Sequence, residues 1–338
     1  MNKRFLLTTS TFVLLLVGVA AFVLSRQPIV VRASVAEQGG FSPSALKARV
    51  GEPLRLRLVS QDVEHRFAVG LYPMQPVTFT PGKPAEVVLT FQTPGRYTYY
   101  DAAPSSPGYW RMRGVIEVSG NEPAPTAAPP LYVQLGYSLD EEEHEGEPHE
   151  EEGEPHEEEG EVETPWQQTP SAVRGEAFRQ LIPPSAFTNE YYVTHSPMEA
   201  YEDLRAEPAL ASQSEQAIWD TVALLWANQT TPAALAAGKE LYTANCSACH
   251  GTEGAGDGEF ADEMQAQSEA SNAEHHIEAP TNFSQPHHLL EAKPAIVHGM
   301  ILRGGMGTGM PMWGDILTDQ ELWNQVSVLY SFLFDLSN

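Results

Sequence analysis

From Asp140 to Glu163 the chain holds 15 acidic residues and no Lys or Arg. Such a run repels itself and has almost nothing apolar to bury, so it is expected to stay extended and disordered. Gly-Glu-Pro-His-Glu-Glu-Glu occurs in it twice, at 146–152 and 153–159. Its histidines, His144, His149 and His156, read as part of a solvated spacer, because no packed shell would hold them around a metal. Folded structure must therefore be built on either side, and 338 residues allow two or three ordinary domains. The whole-chain balance is 19 basic against 45 acidic residues, or −26. The tract supplies 15 of those charges and leaves about −11 for the rest. Nucleic-acid binding is excluded as a function, since it needs Lys and Arg to neutralise phosphates.

Residues 1–26 read as a membrane anchor. Phe5 to Leu24 carries no charge and follows Lys3 and Arg4. Roughly 20 apolar residues cross a ~30 Å hydrocarbon core, and the leading basic pair is expected to stay cytoplasmic. A long signal peptide cut near Val19-Ala20-Ala21 is the alternative. Both readings export the rest of the chain. The expected location is a bacterial cytoplasmic membrane, single-pass, with the soluble domains on its outer side.

Residues 33–120 read as all-β. Leu54-Arg55-Leu56-Arg57-Leu58 alternates with period two, and Val87 to Phe91, Arg96 to Tyr100 and Val115 to Val118 read as further strands. Pro81-Gly82 and Pro94-Gly95 punctuate them as turns. Short strands at this spacing predict a Greek-key sandwich. Residues 121–170 read as a Pro-rich, then acidic, disordered linker, whose 50 residues would span roughly 40 Å. From there the chain is helical. Residues 171–230 carry Ile218, Trp219, Val222, Leu225 and Trp226 at the same offsets as Leu322, Trp323, Val326, Leu329 and Tyr330. That likeness fits either a degenerate half of a duplicated module or two ordinary amphipathic helices. In residues 231–338, Thr231-Pro232 reads as a helix start and Thr318 to Glu321 as a capping box.

The two cysteines of the chain both lie in Cys246-Ser247-Ala248-Cys249-His250. The spacing lets two thiols add to the vinyl groups of one haem while the adjacent histidine reaches the iron. A thioredoxin-like pair is opposed by the histidine and by the lack of a βαβ pattern; a zinc knuckle wants a second pair. One covalent haem c follows, with Cys246 and Cys249 as attachment points and His250 as axial ligand. Downstream, Arg303 to Trp313 is glycine-rich with three methionines. These residues, with the helix from Leu317 to Tyr330, resemble a class I cytochrome c. That family sets its second axial ligand, a methionine, just before a proline, which is Met310 here. Met306 and Met312 are rivals, as are His275, His276, His287, His288 and His298, which otherwise read as solvated loop residues. Arg303 reads as a propionate partner or a surface charge.

The β region resembles the cupredoxin domain of cytochrome c oxidase subunit II, through Asp62-Val63-Glu64-His65-Arg66-Phe67, Pro94 to Tyr97 and Met112 to Val115. The resemblance implies a dinuclear copper site with ligands at positions 65, 101, 105, 109 and 112. Those positions hold His65, Asp101, Ser105, Tyr109 and Met112. A dinuclear site needs two bridging thiolates, and both cysteines are committed to haem. No copper is therefore expected, and these five positions read as vestigial. Tyr109, Trp110 and Arg111 beside them read as a docking surface or ordinary packing.

The expected whole is a multi-domain chain: one transmembrane helix, a cupredoxin-like sandwich and an all-α cytochrome c domain. The resemblance implies an electron-transfer subunit of a haem–copper oxidase or nitric oxide reductase-type complex, not itself the catalyst. Its partners would be a polytopic catalytic subunit and an electron donor with a basic face. A free-standing anchored electron carrier is the alternative. An open-iron haem enzyme is opposed by the expected methionine ligand.

Overall fold

Alternation builds the N-terminal unit. Along Leu54–Ser60 (β4) every second side chain is buried, so the strand turns one face inward. The computed structural model describes residues 27–106, 108–139, 164–262, 280–305 and 310–337. The strands before β4 are Ile29–Ala33 (β1), Phe41–Ser42 (β2) and Ala45–Arg49 (β3). After it come His65–Val69 (β5), Val77–Phe79 (β6), Ala85–Leu89 (β7), Gly95–Asp101 (β8) and Arg113–Ser119 (β9). They form two sheets, ordered β2-β1-β4-β7 and β3-β9-β8-β5-β6. The inward faces share one core containing Val31, Leu56, Leu58, Phe67, Phe79, Tyr99 and Ile116. Strands β4, β7, β8 and β9 fall on the runs read from the sequence. The domain begins earlier than position 33, because β1 pairs in parallel with β4, Ile29 opposite Leu56. A five-residue strand, Ile-Val-Val-Arg-Ala, whose main partner lies 27 positions on, leaves little local alternation to read.

The chain divides into two compact units, one through Ala127 and one from Ala128. The second contains helices Leu131–Gln134 (α1), Ala172–Gly175 (α2), Asn189–Thr194 (α3), Pro197–Ala206 (α4) and Glu215–Ala227 (α5). Pro232–Asn245 (α6), Ser247–His250 (α7), Pro286–Leu290 (α8), Pro294–Arg303 (α9) and Asp319–Tyr330 (α10) follow. The expected caps are present: Thr231 accepts from the Ala234 amide, and Thr318 with Glu321 forms a full capping box. α6 crosses α10 at Gly238, where a Cβ would come within 2.8 Å of the Asn324 carbonyl oxygen.

Two boundaries differ from the sequence reading. The stretch 121–170 is not linker throughout. Tyr132 on α1 lies against Gly299, and the Arg303 guanidinium donates to the Leu139 carbonyl at 3.3 Å. At the far side Trp166 packs on Trp219 and Phe334, with ring centroids 5.3 and 5.9 Å apart. Apolar Leu131, Tyr132 and Trp166 flank the charges, and their burial seats both approaches to the acidic tract on the same C-terminal unit. The connection between the units is thus the exposed run Asn121 to Ala128.

Residues 171–230, second, do not stand apart as a half-module. Trp226 packs on Tyr330 and Phe334, Tyr192 packs on Trp323, and Ser171 bridges to Asp335. Both helices, α5 and α10, bury their apolar stripes in a shared core. Among the described residues no helix is long and apolar enough to cross a membrane. The expected anchor at 5–24 lies outside the described residues, as do the acidic tract, His275, His276 and Met306.

Candidate functional site

Helix α6 delivers the Cys-x-x-Cys-His run. Its last turn ends where the Cys246 amide donates to the Tyr242 carbonyl at 2.8 Å, and α7 then carries Cys249 and His250. Burial, with Cys249 adding to it, pushes the Cys246 thiol up to about 12. That direction opposes a redox-active dithiol, which works through a depressed thiol pKa. The His250 Nδ1 lies 3.2 Å from the Thr281 carbonyl and donates to it. The ring stacks on Phe283 at 4.8 Å. Burial holds the imidazole below its ordinary pKa, partly offset by the Thr281 bond. The result is a neutral, oriented imidazole whose Nε2 could serve a metal. Across the unit, α9 ends at Gly304, which has φ +71°. A Cβ there would meet the Met310 carbonyl oxygen at 2.7 Å. Glycine thus lets the strand of the loop carrying Met310 and Pro311 pass against the helix end.

The second cluster lies in the β unit. His65 Nδ1 is 2.7 Å from Asp101 Oδ2, and its Nε2 is 2.9 Å from Asp62 Oδ1. His65 and Asp101 are fully buried side chains. Burial alone would lower the His65 pKa, but the bonds and charges of Asp101 and Asp62 outweigh it and raise the value. Burial likewise pushes the Asp62 carboxyl up, yet backbone amides of Val35 and Val63 and the His65 ring bring it below its ordinary value. Met112 and Tyr109 are buried as well. Ser105 is exposed, and the serine that lines this pocket is Ser106. Its Oγ is 3.4 Å from His65 Nδ1 and 3.9 Å from Met112 Sδ. The sequence reading missed Asp62 and Ser106. Asp62 was legible in principle, standing three residues before the histidine where a tight turn brings it back.

A family model described as cytochrome c matches residues 235–330. The C-terminal unit carries a cytochrome c domain. Such a domain implies a covalent haem c. No curated protein matches the chain. Among solved structures, a haem–copper terminal oxidase dimer is similar at 19% identity, over 33% of this chain and 95% of that one, with TM-score 0.23. Auracyanin from Roseiflexus castenholzii is 12% identical over 28% of this chain and 98% of its own, TM-score 0.23. Copper nitrite reductase from Nitrosomonas europaea is 14% identical over 28% and 42%, TM-score 0.24.

Among the described residues, the rival axial ligands differ in burial. Met310 is half-buried and Met312 is exposed at 48%. His287 and His288 are exposed on α8 and lie against each other. His298 is not a solvated loop residue: it is buried on α9 and stacked on Trp323 at 4.4 Å, with Asp319 at 3.2 Å. α9 therefore turns this ring to α10. The residues that fit a covalently held haem are Cys246, Cys249 and His250, with a thioether on the Met310 loop.

Proposed function

We propose that this chain is a membrane-anchored electron-transfer subunit of a respiratory haem–copper oxidase or nitric oxide reductase-type complex. The observation that carries the electron-transfer part is His250 in its setting. An imidazole directly after two thiols, neutral and fixed through Nδ1 by the Thr281 carbonyl, suits one axial face of a c-type haem. Cys246 and Cys249 would hold the group covalently, and His250 and Met310 would be the residues offered to its iron. Bound haem supplies one-electron exchange at its iron. The protein's part would be to fix the imidazole's tautomer, cover one face of that imidazole with Phe283, and offer the soft Met310 thioether, which favours reduced iron. A His/Met-ligated iron has no open position for substrate, so catalysis would belong to a polytopic partner. The subunit reading rests on the resemblance of the β unit to subunit II and on the apolar N-terminal run. The electron donor is expected to present a basic face to this acidic chain.

The test is to purify the complex through this chain in detergent and to count haem and metals, with optical spectra of both redox states. One haem c on this chain, copurifying with a subunit that holds a- or b-type haem, is expected. Haem c with no partner would replace the subunit reading with that of a free-standing carrier. Binding of carbon monoxide by the ferrous haem c at neutral pH would remove Met310 as ligand.

A further inference from the structure

The fold that the β unit resembles implies copper, yet the donors gathered in its pocket do not fit that metal. A copper-binding histidine must offer a ring lone pair, and both nitrogens of His65 face carboxylate oxygens at 2.7 and 2.9 Å. Carboxylates only accept hydrogen bonds when ionised, so each ring nitrogen is a donor. Both carboxylates also accept from backbone amides, as a carboxylate does. Asp101 Oδ1 accepts from Arg66 at 2.8 Å and Ala103 at 3.0 Å. Asp62 accepts from Val35 and Val63, each at 2.7 Å. What remains beside the ring is the Ser106 hydroxyl, the Met112 thioether and the Phe79 ring, 5.6 Å away. Neither thiolate nor a second imidazole is among them, and a soft copper site needs at least one such ligand. The charged groups flanking His65 in sequence, Glu64 and Arg66, pair with each other at the surface.

We propose that a proton stands where the related fold places a metal: His65 is an imidazolium clamped between Asp62 and Asp101, and the β unit is redox-inert. The clamp does the mechanical work of a metal. It ties the β4–β5 turn, through the Val35 amide to the end of β1, and through Asp101 and Ala103 to the loop after β8. An electron reaching the C-terminal unit is then passed on without a relay in the β unit. This inference stands on the β unit's own geometry and survives if the haem reading fails.

The test uses the full chain as purified, reduced and with isotope-labelled histidine, observed by NMR at neutral pH. One ring is expected to show two N–H signals, both lost in His65→Gln. Copper added at one equivalent is expected to pass into the filtrate and to leave the melting transition of the β unit unchanged. Should His65→Gln fail to fold, Asp62→Asn serves instead, and is expected to displace one of the two signals and spare the other. A single N–H signal from His65 would overturn the proposal. So would copper retained by the native chain and raising its melting temperature, as a ligand specific for the folded state must.

Discussion

A histidine buried as a cation and one buried neutral make stability depend on pH in opposite senses, and the described residues include both kinds, His65 of the first and His298, like His250, of the second. For His65 the folded pKa is raised by Asp101 and Asp62 against the pull of burial. Its contribution is fully present below the unfolded imidazole value of about 6.5 and is lost as pH rises through the raised folded value. For His298, burial lowers the folded pKa although Asp319 pulls the other way. Its contribution is present above about 6.5 and is lost as pH falls through the lowered value. Melting curves followed by scanning calorimetry should therefore show the β-unit transition weakening toward alkaline pH and the C-terminal transition weakening toward acid. His65→Gln should flatten the first trend and leave the second. Parallel slopes would sink this account. The magnitude is set by burial. Asp101→Asn, which leaves a buried ring without its ionic partner, is expected to cost about 3–5 kcal/mol in denaturant unfolding. Glu64→Gln, in an exposed pair with Arg66, should cost about 0–1 kcal/mol. The sequence marked His65, Asp101 and Met112. It could not distinguish Ser105 from Ser106, because counting along an irregular loop does not say which of two adjacent side chains turns inward.

At the level of elements, the methionine loop depends on one backbone conformation. Gly304 combines φ +71° with a near-contact to the Met310 carbonyl, so Gly304→Ala adds a left-handed cost of about 1–2 kcal/mol and a Cβ with no room. The expected outcome is a displaced loop: a lower reduction potential and carbon monoxide binding to the ferrous form, as in Met310→Ala, with the haem still attached. Unchanged potential and a closed iron in both variants would remove Met310 from the axial position. The Thr318 capping box and the Thr231 cap were legible because their chemistry is local. The parallel β1–β4 pairing and the wrap of α5 onto α10 were not, since each joins segments far apart in sequence. Nor was the His250–Thr281 bond, whose acceptor is a backbone carbonyl and carries no residue-type signal.

For the whole molecule the question is what the acidic tract does, given where its flanks lie. As part of a 50-residue linker over 121–170, it would have helped the C-terminal unit range about 40 Å. Its flanks instead pack on the C-terminal unit, through Leu139 to Arg303 and Trp166 to Trp219. The connection between the units is the run Asn121 to Ala128, about 25 Å long if fully extended as polyproline. The tract's 15 negative charges are thereby attached to the unit that carries the cytochrome c domain, where they bear on encounter with an electron donor. Replacing its acidic residues with glutamine should leave the C-terminal unit folded, because neither flank is touched. Reduction of the chain by a basic donor, followed by stopped flow, should then slow by about tenfold or more at low ionic strength. The native rate should fall steeply as salt shortens the Debye length to about 8 Å near physiological strength, and the substituted chain's should vary little. Equal salt slopes for the two chains would mean that donor encounter is governed by charges elsewhere, within the remaining balance of about −11.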